Sequence, residues 1–146
     1  MKDQNMEAQV WQRVQAGKQE VPASGLRQMQ REAMELAELY RGLASRTSGR
    51  QQELSRQLYR GEKSNALMLA GIGMLSGQRE ENVKLWQPGK EHSGKLLERC
   101  YHRTRRCMVE YLSRSADGEY GAVFRSMADR EGEHCAMIAE LLGSLG

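Results

Sequence analysis

From Leu26 onward the apolar residues return in alternating steps of three and four. Leu26, Met29, Ala33, Leu36, Tyr40 and Leu43 fall on one face of a helix, with Ala37 and Ala44 beside them. That spacing lets a helix with 3.6 residues per turn bury one stripe. Gly49 follows where the stripe lapses, and glycine tolerates the left-handed backbone found at helix ends. The same pattern predicts a second helix from about Arg50 to Gly77, with Leu58, Leu69 and Ile72 inward and Leu54, Met68 and Leu75 flanking. A third helix begins near Lys95 and carries Leu97, Tyr101, Met108 and Tyr111 on its face. After Asp117-Gly118 a fourth runs almost to the end of the sequence. Its inward series is Tyr120, Phe124, Met127, Glu131, His134, Ile138, Leu141 and Leu145, in unbroken four-three steps.

The segments between these stripes set the predicted organisation. Residues 1–25 hold a short apolar stripe, Val10, Trp11 and Val14, and then the breaking run Val21-Pro22-Ala23-Ser24-Gly25. They are expected to form a helical arm and a linker. Docking of Trp11 on the bundle or on a partner subunit, and a frayed terminus, both stay open. Glu80-Glu81-Asn82, Pro88-Gly89 and Ser93-Gly94 make residues 78–94 the one long connection. The remainder, 26–146, divides into a hairpin at 26–77, a crossover at 78–94 and a hairpin at 95–146. Short links make antiparallel neighbours, and a single long one carries the chain along the length of a bundle, a connectivity that resembles the ferritin-like bundles. Few β-branched residues and an abundance of Ala, Leu, Met, Glu, Arg and Gln agree with an all-α fold. A length of 146 residues suits one domain.

The two hairpins repeat one another. Gly49 and Gly118 stand 69 apart (118 − 49), as do Glu62 and Glu131, Leu58 and Met127, Asn65 and His134, Met68 and Met137, Leu69 and Ile138, and Ile72 and Leu141. Before the turn the offset is 71 (111 − 40), pairing Tyr40 with Tyr111 and Ala33 with Thr104. So ordered a set points to a duplicated helical hairpin.

Several positions on the inward stripes are polar: Glu62 and Asn65 on the second helix, Thr104 on the third, Glu131 and His134 on the fourth. An ionised carboxylate buried without a partner costs several kcal/mol, so such a group pairs, takes a proton or binds metal. Glu131-Gly132-Glu133-His134 places a carboxylate and an imidazole one turn apart on one helix face. The stretch Val123-Phe124-Arg125-Ser126-Met127-Ala128-Asp129-Arg130-Glu131-Gly132-Glu133-His134 closely resembles the last helix of rubrerythrin-like, ferritin-like domains. Ala37, Tyr40, Leu43-Ala44 and Glu62-Lys63-Ser64-Asn65-Ala66 resemble their first half more loosely, and the resemblance covers residues 26–143. It implies a di-iron site in which two Glu-x-x-His motifs and two further glutamates supply six ligands.

This sequence departs from that pattern. Ala33 and Thr104 stand where the two further glutamates belong, and Asn65 where a histidine is expected three residues after Glu62. Glu62, Glu131 and His134 remain, with Asn65, Thr104, Glu35 and Glu98 as candidate supporting ligands and Tyr40 and Tyr111 around them. Glu32 is a further substitute, although periodicity puts Glu32, Glu35 and Glu98 off the central stripe. Two carboxylates and one imidazole form a facial set with open positions. One iron, manganese or zinc ion is therefore expected, or no ion and a hydrogen-bonded buried network.

Charge and cysteine content narrow the alternatives. The net charge is +3, and the sharpest basic cluster, Arg99, His102, Arg103, Arg105 and Arg106, reads as a solvated helix face without a nucleic-acid reading motif. No run approaches the ~18 to 20 apolar residues of a membrane span, and Lys2-Asp3-Gln4-Asn5 opens no signal peptide. Cys100, Cys107 and Cys135 form no framework or Cys-x-x-Cys pair and read as buried hydrophobes in a reducing compartment, so the cytoplasm is the expected address. Two functions fit: metal handling or oxidative-stress defence at an incomplete carboxylate–histidine site, or a non-catalytic bundle acting in interaction or assembly. Either is compatible with a homo-oligomer.

Overall fold

Four helices carry the fold in the computed structural model: α1 (Pro22–Ser45), α2 (Gly49–Leu75), α3 (Ser93–Arg114) and α4 (Gly121–Leu145). The structure describes residues 22–77, 93–116 and 118–145, and among them there is no strand. The Trp11 arm, His92, Asp117 and the greater part of the crossover lie outside the described residues.

Helix α1 begins earlier than its apolar stripe. Pro22 to Gly25, expected as linker, is its first turn. Proline suits that place, because its fixed φ is helical and the N–H it lacks would have no partner in a first turn. At the other end, Thr47 Oγ1 donates to the Leu43 carbonyl at 2.9 Å and Gln52 Nε2 donates to the Ala44 carbonyl at 3.0 Å. These side chains take up carbonyls that the end of a helix leaves open. Gly49 then turns the chain with φ of 59°, a conformation that favours glycine. The second turn is built differently. Gly118 has no positive φ, and the tight position is Gly121, where a Cβ would lie 2.5 Å from the Ser115 carbonyl oxygen.

The short links make α1 antiparallel to α2, and α3 to α4. The hairpins meet along α2–α4 and α1–α3, while α1 and α4, like α2 and α3, stand at opposite corners. Arg50 reaches Glu140 and Asn65 reaches Glu131, so α2 and α4 also run antiparallel. It follows that α2 and α3 run in the same direction across the bundle's diagonal.

Met29, Leu36, Tyr40, Leu58, Leu69, Leu97, Tyr111, Met127, Ile138 and Leu141 fill the core and are all but inaccessible. Each large aliphatic side chain so buried contributes about 1.5–3 kcal/mol before chain entropy is counted. Three expectations shift. Leu75 is exposed, at the last residue of α2. On α3, Leu96, Cys100, Thr104 and Cys107 are buried with Leu97 and Tyr111, while Tyr101 and Met108 are only partly so. Small side chains there let α3 turn its narrower stripe inward. Cys135 likewise is half-buried rather than buried. No described helix is long and apolar enough to cross a membrane.

Candidate metal centre

The inward polar residues of α2 and α4 meet at mid-height in the bundle. Glu62, Asn65 and Glu131 are fully buried and His134 nearly so. Helical spacing explains the alignment: residues three apart lie one above the other on a helix face, so each helix offers two inward polar groups. His134 Nδ1 lies 3.0 Å from Glu62 Oε1 and 3.6 Å from Glu131 Oε2. Asn65 Nδ2 donates to Glu131 Oε1 at 2.8 Å. The remaining oxygens, Glu62 Oε2 and Glu131 Oε2, are buried without a hydrogen-bond partner. One donor atom each from Glu62, Glu131 and His134 can be chosen within 4.8 Å of the others.

The close approach of α4 to α2 depends on Gly61. A Cβ there would collide with Nε2 and Cε1 of the His134 ring and lie 3.3 Å from Arg130 Cδ. The absent side chain is what seats the imidazole beside the two carboxylates.

Burial raises the Glu62 carboxyl well above its usual range, and the neighbouring Glu131 charge raises it further against the pull of His134. Burial alone would lower the His134 imidazole, but the neighbouring Glu131 and Glu62 carboxylates outweigh this and bring it to about 9. Without a cation the centre therefore favours a proton on Glu62 and another on His134. Burial also pushes the Cys100 thiol up to about 12 and raises Cys107, so both pack as neutral groups rather than as thiolate ligands.

Compared with family models, curated proteins and solved structures, the chain matches none of them.

The other candidates take different places. Thr104 is buried and its hydroxyl lies 3.3 Å from the Tyr40 hydroxyl, while Tyr111 is buried with its hydroxyl unpartnered. Glu35 is drawn away from the centre, accepting from Arg103 Nη2 at 3.0 Å, and Glu32 accepts from Arg103 Nε at 3.0 Å. Glu98 is exposed. The two supporting glutamates are thus not part of the cluster: Arg103 holds the first at the α1–α3 seam, and helix phase turns the second outward. Arg103 itself is not on a solvated face, since its side chain is mostly covered between two carboxylates. Sequence reasoning overlooked Gly61 and Arg130. The available signal was their place relative to the inward polar residues, one before Glu62 and four before His134.

Proposed function

We propose that this chain is a ferritin-like bundle protein of the rubrerythrin type that binds one divalent cation, of the iron, manganese or zinc class, through Glu62, Glu131 and His134. The role that follows is metal handling or defence against oxidants. The observation that carries this reading is the pair of buried carboxylate oxygens without hydrogen-bond partners, beside a buried imidazole nitrogen. Such atoms are costly to bury unless something completes them. Neighbouring donors about 2.1 Å from a tetrahedral zinc-sized ion stand about 3.4 Å apart. A group already gathered within 4.8 Å needs only small side-chain rotations to close on it.

Charge supports the same reading. Two protons exchanged for one divalent cation leave the net charge of the buried cluster unchanged. A dinuclear centre does not fit these residues, since Asn65 faces Glu131 with its donor end and neither Ala33 nor Thr104 offers a carboxylate in its stead. The diagonal, same-direction placement of α2 and α3 supports a single crossover of the ferritin-like kind, because the end of α2 and the start of α3 lie at opposite ends of the bundle.

A redox-active ion in this place would supply electron transfer to an oxidant. The protein's part is to hold the ion, exclude bulk water with Leu58, Met127 and Ile138, and keep protons on Glu62 and His134 until it arrives.

Metal analysis of untagged protein grown with iron, manganese and zinc tests the reading. About one ion per chain is expected, falling below a tenth in Glu131→Ala/His134→Ala. Less than a tenth in the unaltered protein sinks it. The second reading, a non-catalytic interaction protein, draws on Leu67, Met74 and Leu75, exposed on α2. It is favoured if metal is absent and Leu67→Glu/Met74→Glu dissociates an oligomer.

A further inference from the structure

One charged side chain at the centre's edge has no task in the metal reading. Arg130 lies four residues before His134 on α4, and its stem passes over Gly61. Its Nη1 donates to Asn65 Oδ1 at 2.7 Å and to Ser64 Oγ at 3.3 Å. An amide has one accepting end and one donating end. With the accepting end held by Arg130, the donating end faces inward, to Glu131 Oε1. A flipped amide would set N–H groups against the guanidinium and a carbonyl against the carboxylate, two repulsive contacts where little water screens them.

The consequence is an ordered set of oxygens. His134 engages Glu62 Oε1 and Asn65 engages Glu131 Oε1, while both Oε2 atoms have no hydrogen bond. A cation beside Asn65 would meet the positive end of an amide dipole. We propose that Arg130 and Asn65 are positioning residues that turn Glu131 to present a single inner oxygen and so restrict the centre to one cation. This rests on the metal reading above. Ser64 steadies the guanidinium, and Gly61 leaves room for its stem.

The test is titration of Co2+ into the metal-free full chain, followed by calorimetry and by visible absorption of the bound ion. The unaltered protein is expected to take one Co2+. Arg130→Gln and Asn65→Leu should each bind at least tenfold more weakly with a shifted absorption band. Their combination should bind no more weakly than Asn65→Leu alone, because Arg130 acts through the amide. Asn65→Asp/Arg130→Gln, which replaces the donor with a carboxylate, should take a second Co2+. Losses below threefold, additive losses, or a single ion in Asn65→Asp/Arg130→Gln would overturn the proposal. Arg130 is only partly buried, so Arg130→Gln keeps the fold if the core variant does not.

Absence of Co2+ binding by the unaltered protein defeats the metal reading itself. The positioning role is then decided in metal-free protein by nitrogen-15 NMR of the Asn65 side-chain amide. One downfield, slowly exchanging N–H that is lost in Arg130→Gln supports it; identical signals in the two proteins overturn it.

Discussion

The two seams between the hairpins solve the same problem in opposite ways. Along α2–α4, carboxylates face inward, Gly61 brings the helices together, and Glu62, Asn65, Glu131 and His134 share a buried cluster. Along α1–α3, the equivalent inward positions are Ala33 and Thr104, and the charges sit further out. Arg103 clamps Glu32 and Glu35 there, beside a groove of about 300 Å³ floored by Leu39 and Leu96. The difference teaches where acidic chemistry survives in a bundle of two helical hairpins. An acid kept inside must find an imidazole, an amide or an ion; an acid moved to the rim is satisfied by one arginine fork.

The largest effect should come from taking charge out of the inner seam. Glu62→Gln keeps the shape and the hydrogen bond to His134 but removes a buried ionisable oxygen. Its cation affinity should fall about a hundredfold while metal-free stability rises by about 1 kcal/mol, measured by Co2+ titration and urea unfolding. A fall in both would show that the carboxylate is structural. Next comes Gly61→Ala, which forces the His134 ring away. We expect a loss of about 1–3 kcal/mol from overpacking and at least tenfold weaker binding; unchanged affinity would break the link between helix approach and site.

At the outer seam, Arg103→Met leaves the buried Glu35 and the partly buried Glu32 without their clamp. Unfolding free energy should drop by about 1–3 kcal/mol, with cation binding nearly unchanged, so equal losses in both would erase the contrast between the seams. The pH dependence should be gentler. The folded His134 lies above its ordinary value of 6.5, at about 9, so its contribution is complete below pH 6.5 and is lost as pH rises through 9. The melting temperature of metal-free protein should fall across that window, and the fall should be smaller in His134→Leu, where only the raised Glu62 carboxyl still titrates. Cation affinity should rise over the same range, because the ion displaces protons. Smallest of all, Arg50→Ala removes an exposed ion pair with Glu140 and should change stability by less than about 0.5 kcal/mol.

Much of this was legible in the sequence because helical periodicity is local. Steps of three and four along Met29, Leu36, Tyr40 and Met127, Ile138, Leu141 name the inward faces without reference to any neighbour. The same periodicity put Glu62, Glu131 and His134 inward, and the structure brings those three together. It failed at Pro22–Gly25, where breaking residues are compatible with a first helical turn, and at Tyr101 and Met108 on α3, which are only partly buried because the small Cys100, Thr104 and Cys107, inside as expected, let that helix turn.

The sequence by itself determined four helices and the inward placement of Glu62, Asn65, Thr104, Glu131 and His134, since both follow from contacts within a turn or two of backbone. Only the tertiary structure decided which polar groups meet. That Glu35 answers to Arg103, that Arg130 turns Asn65 toward Glu131, and that Gly61 makes space for His134 are facts about side chains from different helices. Such pairings depend on helix rotation and separation to within an ångström or two, and no spacing along one chain records them.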